Sequence, residues 1–278
     1  MWSISIYTGN SPFALAPLQP DPVLTKDNVT DIPAAFVADP FMVRHDGTFY
    51  MFMEVMNADT RLGEIGLATS KDALSWTYQQ IVISEPFHLS YPYVFAWEGE
   101  YYMIPESIDA GNITLYKADE FPIRWSKLAT LVRGRFADPS VVFKNNRWWL
   151  FACPTPYQHE SLHLYSATQL LGPWYEHPRS PIIRRDKRRA RPAGRILQFN
   201  NKLFRFAQDC LVRYGTLVRT FEILELTPTT YVEVEIGYGP KLGASGQGWN
   251  ASGMHHIDAH RRDDKTWVAC VDGYYSMT

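Results

Sequence analysis

Cysteine, net charge and long apolar runs are all scarce in this chain. The three cysteines, Cys153, Cys210 and Cys270, are odd in number, widely spaced and without a CxxC pair. That excludes a disulfide framework and a metal-type cysteine cluster, and they read as reduced, buried residues of a cytoplasmic-type protein. The 27 basic and 29 acidic side chains nearly cancel, which argues against a general nucleic-acid or anionic-membrane role. No apolar run approaches the roughly 18 residues of a membrane span, and the N-terminus lacks a basic-then-apolar signal pattern. The expected location is therefore cytoplasmic.

Aromatic residues are plentiful, with 9 Trp and 16 Tyr. They suit both a large core and sugar stacking, so they decide nothing alone. Their arrangement says more. Asp39-Pro40 leads through an apolar run and a turn at Asp46-Gly47 to Phe49-Tyr50 and then Glu54. The same design recurs as Tyr91-Pro92, Tyr101-Tyr102 and Glu106, and as Asp138-Pro139, Trp148-Trp149 and Cys153. In each, the first aromatic lies nine positions after the Pro. Arg191-Pro192 with Leu203-Phe204 and Gln208 is a fourth copy with two residues inserted, and Asp258 with Trp267 and Asp272 is a fifth without the Pro. Trp76, Trp125 and Trp174 recur at a constant interval of 49 residues. A period of this length built from short strands marks a β-propeller.

The fold class is therefore all-β, a single five-bladed propeller domain over residues 1–278. Only a few residues follow Asp272, too few for two further strands. Residues 4–7 and 22–24 resemble residues 65–68 and 81–83, so the N-terminus is expected to supply the outer two strands of the last blade. On that expectation the chain is a complete ring.

In a propeller, the first residue of each inner strand and the last of the second strand meet at one rim. One ring of positions is then Asp39, Tyr91, Asp138, Arg191 and the segment from His255 through His256 to Asp258. The other is Glu54, Glu106, Cys153, Gln208 beside Asp209, and Asp272. Carboxylates, His, Arg and Tyr around one opening describe a polar ligand site. Each has a plainer alternative: Asp before Pro caps turns, Glu54 pairs with a nearby Arg, Asp209 ends a strand, and a lone His is commonly structural. His256 and Asp258 share a strand face, but their spacing fixes no third zinc ligand, so no metal site is assigned. A structural calcium ion in the channel is compatible with these groups without being required, and no other cofactor is expected. The basic run 184–191 reads as a solvated loop or, through Arg191 and Arg195, as a cradle for an anionic group. The glycine-rich stretch ending in Trp249-Asn250 is expected to be a loop over the rim.

Ala38-Asp39-Pro40 and Ala137-Asp138-Pro139 on such a fold resemble glycoside hydrolase family 43. The resemblance implies Asp39 as the general base and Asp138 as the residue orienting the acid, in an inverting hydrolysis. The blade-four Glu of that family is replaced here by Ala190-Arg191-Pro192-Ala193, so Glu106 or a His of the 255–256 pair would have to serve as acid. A longer likeness joins 36–41, 88–95, 103–106, 170–174, 208–215 and 249–258. It is similar to the N-terminal propeller domain of the glucosamine inositolphosphorylceramide transferases, whose transfer step is assigned to a separate C-terminal domain. The likeness implies a carbohydrate or glycolipid head group as ligand. It also implies a partner glycosyltransferase or formyltransferase-like enzyme in polysaccharide or glycolipid metabolism. Two functions stand side by side: a family-43-like hydrolase using Asp39, Asp138 and Glu106 or His256, or a non-catalytic domain presenting a glycan. In both, Tyr91, Glu54, Arg191, Arg195, Asp209, Trp249, His255 and Asp258 contact substrate. A third, a protein-interaction propeller, makes the rim carboxylates dispensable.

Overall fold

The computed structural model describes residues 1–240 and 242–276. Five small antiparallel sheets form the blades of a propeller. Blade 1 consists of Ala34–His45, Thr48–Asn57, Gly63–Ser70 and Thr77–Ile83 in sequential order. Blade 2 follows with Ser90–Trp97, Glu100–Glu106, Asn112–Glu120 and Arg124–Arg133. Blade 3 uses Ala137–Lys144, Arg147–Cys153, His163–Ala167 and the short Tyr175–Glu176. Blade 4 has a divided inner strand, Arg191–Pro192 and Leu197–Phe199, both paired with Lys202–Asp209, followed by Leu217–Leu226 and Tyr231–Glu235. The two extra residues of the fourth repeat lie in that interruption.

Blade 5 joins the two ends of the chain. Ile257–Arg261 and Trp267–Tyr274 are its inner strands, and Trp2–Ser11 adds beside the second, in register from Trp2 opposite Tyr274 to Gly9 opposite Trp267. Ile4 and Ile6 are fully buried there. The outermost strand differs from expectation. It is Ala14–Pro17, returned by the turn after Ser11, whereas residues 22–24 contribute a single bridge from Leu24 to Ile4. The nearer segment pairs first because its loop is the shorter one to close.

The recurrent tryptophans have one job. The indole N–H of Trp76 donates to the Ala73 carbonyl at 3.1 Å, that of Trp125 to Pro122 at 2.8 Å and that of Trp174 to Leu170 at 3.0 Å. Each ring closes the turn leading to the outer strand of its blade. The core fills the wedges between blades, and the three cysteines are buried and unbridged.

A second repeated device aims side chains at the axis. Ala38 faces Glu54 and Phe41 faces Phe52, so Asp39 and Pro40 together oppose one residue, a β-bulge. Tyr91-Pro92 and Asp138-Pro139 form the same bulge in blades 2 and 3. The leading residue of each has left-handed φ: 50° at Asp39, 47° at Tyr91 and 51° at Asp138. Such a conformation costs a non-glycine residue about 1–3 kcal/mol and clusters at functional positions.

Candidate functional site

Three carboxylates stabilise the bulges. The Asp39 N–H donates to Asp272 at 3.0 Å, that of Tyr91 to Asp39 at 3.2 Å and that of Asp138 to Glu106 at 3.0 Å. Each blade's bulge is therefore held by an acid from its neighbour. Asp272 also receives His255 Nδ1 at 2.8 Å, and the opposite edge of that imidazole, Nε2, lies 3.8 Å from Asp39. Trp2 stacks on the His255 ring with centroids 3.9 Å apart. Burial drives the Asp39 carboxyl up to about 7 against the pull of His255, with Asp272 and Asp138 pushing the same way. Burial opposes charge on His255, yet Asp272 and Asp39 together raise its pKa.

Arg191 is the hub of the opposite side. Its guanidinium makes a two-pronged contact with Asp138 and a further bond to Glu106 at 3.3 Å. It also donates to the Pro156 carbonyl at 2.8 Å, contacts His159 Nδ1 at 3.1 Å and lies 4.9 Å from the Tyr214 ring centre. Gln208 adds a bond to Asp138 at 2.7 Å. Burial raises the Asp138 carboxyl while Arg191 pulls it back, and Arg191 itself is held firmly charged by Asp138 and Glu106 despite its own burial.

Glu54 stands between these groups. His88 Nε2 lies 3.5 Å from it, and the His88 Nδ1 accepts the Gly63 N–H at 2.9 Å; burial lowers the pKa of this imidazole. Burial lifts Glu54 well above the ordinary range, and Asp39, Glu106 and Asp272 add to it, which favours the protonated form of this carboxyl. The mouth above is a cavity of about 340 Å³ whose walls include His88, Glu106, Asp109, His159, Arg191 and Tyr214.

The remaining expected residues divide by depth. Tyr91 is fully buried and spans the axis, bonding Ser140 at 2.8 Å and the Gly194 carbonyl at 3.0 Å. His256 is fully buried, its Nε2 on the Pro40 carbonyl at 2.9 Å and its Nδ1 3.9 Å from Asp39; burial holds it neutral, down to about 4. Arg195 and Asp258 pair with each other, and both reach further down the inner strands, to Val94 and Met42 respectively. Asp209 pairs with Arg219 at 2.6 Å and accepts the Leu211 N–H, so it anchors the loop after blade 4's second strand. Trp249 packs on Gly273 and lines a different cleft, with Tyr7, Leu15 and Leu242. Trp2, His88, His159 and Tyr214 join the site from outside the repeated positions, so the period carried no signal for them.

Asp39, His255 and Asp272 offer ligand atoms within 4.8 Å of one another. Calcium takes roughly six to eight oxygens, and this set supplies two carboxylates and an imidazole, with Asp272 already bonded to both neighbours. These three side chains alone supply fewer oxygens than a calcium ion takes.

Solved structures of similar shape include glycoside hydrolases. An exo-beta-1,3-galactanase from Clostridium thermocellum superposes with a TM-score of 0.64 over 89% of this chain and 59% of its own, at 14% identity. The RS223 beta-xylosidase matches at 0.64 over 82% of each chain, at 13% identity. Zg3597, a family 117 glycoside hydrolase from Zobellia galactanivorans, matches at 0.57 over 85% of this chain and 84% of its own, at 14% identity. At these identities the likeness is one of fold. Sequence relatives are nearer: glucosamine inositolphosphorylceramide transferase 1 of Oryza sativa subsp. japonica is 36% identical and that of Arabidopsis thaliana 32%, each over 98% of this chain. The chain spans about 40% of the length of these relatives. With the model for the N-terminal region of glucosamine inositolphosphorylceramide transferase 1 matching residues 1–274, the chain belongs to that family.

Proposed function

We propose that this propeller is a non-catalytic domain that holds the polar head group of a glycolipid in its funnel and presents it to a sugar-transferring active site elsewhere. The observation that carries the reading is Arg191. It stands at the blade-four rim position and binds both Asp138 and Glu106, so a guanidinium, which cannot serve as a proton donor, occupies the place beside those carboxylates. The mouth suits a phosphorylated polyol: the Arg191 charge favours an anionic oxygen, Glu106 and Asp109 accept from hydroxyls, the imidazole of His159, its pKa lowered to about 4, offers a ring nitrogen, and Tyr214 offers a ring face. The relatives carry inositolphosphorylceramide in their names, which agrees with this ligand class.

Calorimetry with soluble inositol phosphate and its glucosaminyl derivative tests the reading, together with a panel of aryl glycosides. Binding without turnover is expected, weakened roughly tenfold or more by His159→Ala or Tyr214→Ala. Glycoside cleavage abolished by Asp39→Asn would overturn it in favour of hydrolysis. One observation supports that second reading: Glu54 is a buried carboxyl raised above its ordinary range and close enough to Asp39 to feel its charge, the relation an acid and base require. Hydrolysis by this pair predicts that Glu54→Gln abolishes cleavage as completely as Asp39→Asn.

A further inference from the structure

Around the funnel mouth the chain exposes apolar side chains that its own fold leaves uncovered. On the 210–216 loop, Leu211 is 60% and Val212 85% exposed, and Tyr157 on the neighbouring 155–160 loop is 69% exposed. Between these loops runs 184–189, with five basic residues and a single acid. Asp186 engages Arg188 and Arg189, each at 3.0 Å, while Arg184, Arg185 and Lys187 are exposed. The three segments are stitched together. The Cys210 N–H donates to the Lys187 carbonyl at 2.8 Å, the Asp186 N–H donates to the Glu160 carbonyl at 3.1 Å, and the His159 and Tyr214 rings are 5.3 Å apart. Tyr157 and Tyr214 also wall the cavity above Arg191.

We propose that this side of the rim is a docking surface for an anionic lipid bilayer. Leu211, Val212 and Tyr157 would enter the headgroup–acyl boundary, and Arg184, Arg185 and Lys187 would face the lipid phosphates. Apolar tips flanked by cations bind membrane interfaces by burying area and by drawing on the negative surface potential together, neither sufficing alone. The charge points to lipid of one sign, and the chain's formal net charge of −2 makes the basic strip a local feature. Docking in this pose sets the funnel mouth beside the surface from which a glycolipid head group projects. The proposal thus deepens the head-group reading and takes its purpose from it.

Co-sedimentation with phosphatidylcholine vesicles, with and without phosphatidylserine, tests it. The variants are Leu211→Ser/Val212→Ser and Arg184→Glu/Arg185→Glu/Lys187→Glu, whose exposed positions leave the core untouched. The chain is expected to bind the phosphatidylserine vesicles and not the neutral ones, and each variant to weaken that binding by more than about tenfold. Failure to bind, equal binding to both vesicles, or binding that survives either variant overturns the surface. Calorimetry with soluble inositol phosphate, run without vesicles, keeps the two readings apart. Head-group binding without vesicle binding refutes only the docking surface, and vesicle binding without head-group binding refutes only the proposed function.

Discussion

Arg191 shows how a single residue type redirects a shared scaffold. Its charge is compensated on one side by Asp138 and on another by Glu106, all three nearly inaccessible to solvent. Arg191→Met leaves two buried carboxylates without their cation, a change expected to cost about 3–5 kcal/mol, read by urea denaturation. Asp39 supplies a test through pH. Its carboxyl, raised from 3.8 to about 7, keeps a proton in the fold that the unfolded chain has lost. Its contribution to stability is therefore present at low pH and is lost as pH rises through that window. His256, lowered from 6.5 to about 4, has the reverse effect, because acidification protonates only the unfolded chain. The two slopes oppose one another in the wild type. Asp39→Asn removes one of the raised carboxyls that oppose the His256 slope, so denaturation between pH 4 and 7 should show the variant losing more stability on acidification than the wild type does. A difference between the two proteins that stays constant across that range would refute the buried protonated carboxyl.

At the level of elements, the strand that closes the ring is the first one in the chain. Trp2–Ser11 buries Ile4 and Ile6 against the last long strand. Ile6→Ala is expected to cost about 2–5 kcal/mol, visible as a lowered denaturation midpoint. A loss comparable to that of an exposed residue would show that the N-terminal strand is not integral to blade 5. The alternation of apolar residues and the Asp-Gly turn made the hairpins legible. The outermost strand was misplaced because residues 14–17, Ala-Leu-Ala-Pro, carry no β-branched or aromatic strand signal, and their pairing depends on the turn that folds them back.

For the whole molecule, the axis is closed by a glycine. Gly194 has φ +129°, and a Cβ there would stand 1.8 Å from the Ile257 carbonyl oxygen, where blade 4 meets blade 5. Gly194→Ala therefore forces backbone apart and is expected to abolish the folded ring, seen as loss of near-ultraviolet dichroism and cooperative unfolding. A cooperative, native-like variant would contradict the close contact. Charge also behaves differently at this scale. The near-zero total that spoke against an anionic membrane averages a basic strip at the mouth with acids spread over the rest of the chain.

What the sequence by itself determined was the blade count, the hairpins and the two rings of rim positions. A repeated fold writes its period into the chain, and the pleat fixes which residues share a rim. Only the tertiary structure decided which ring members act on one another. Asp39 meets His255 and Asp272 across the closing seam, and Arg191 reaches two other blades to bind Asp138 and Glu106. Arg195 and Asp258 satisfy each other instead of facing the mouth. Those outcomes depend on distances across the axis between residues far apart in the chain. Burial then disfavours charge on Glu54, while Asp138 and Glu106 keep Arg191 charged against its own burial.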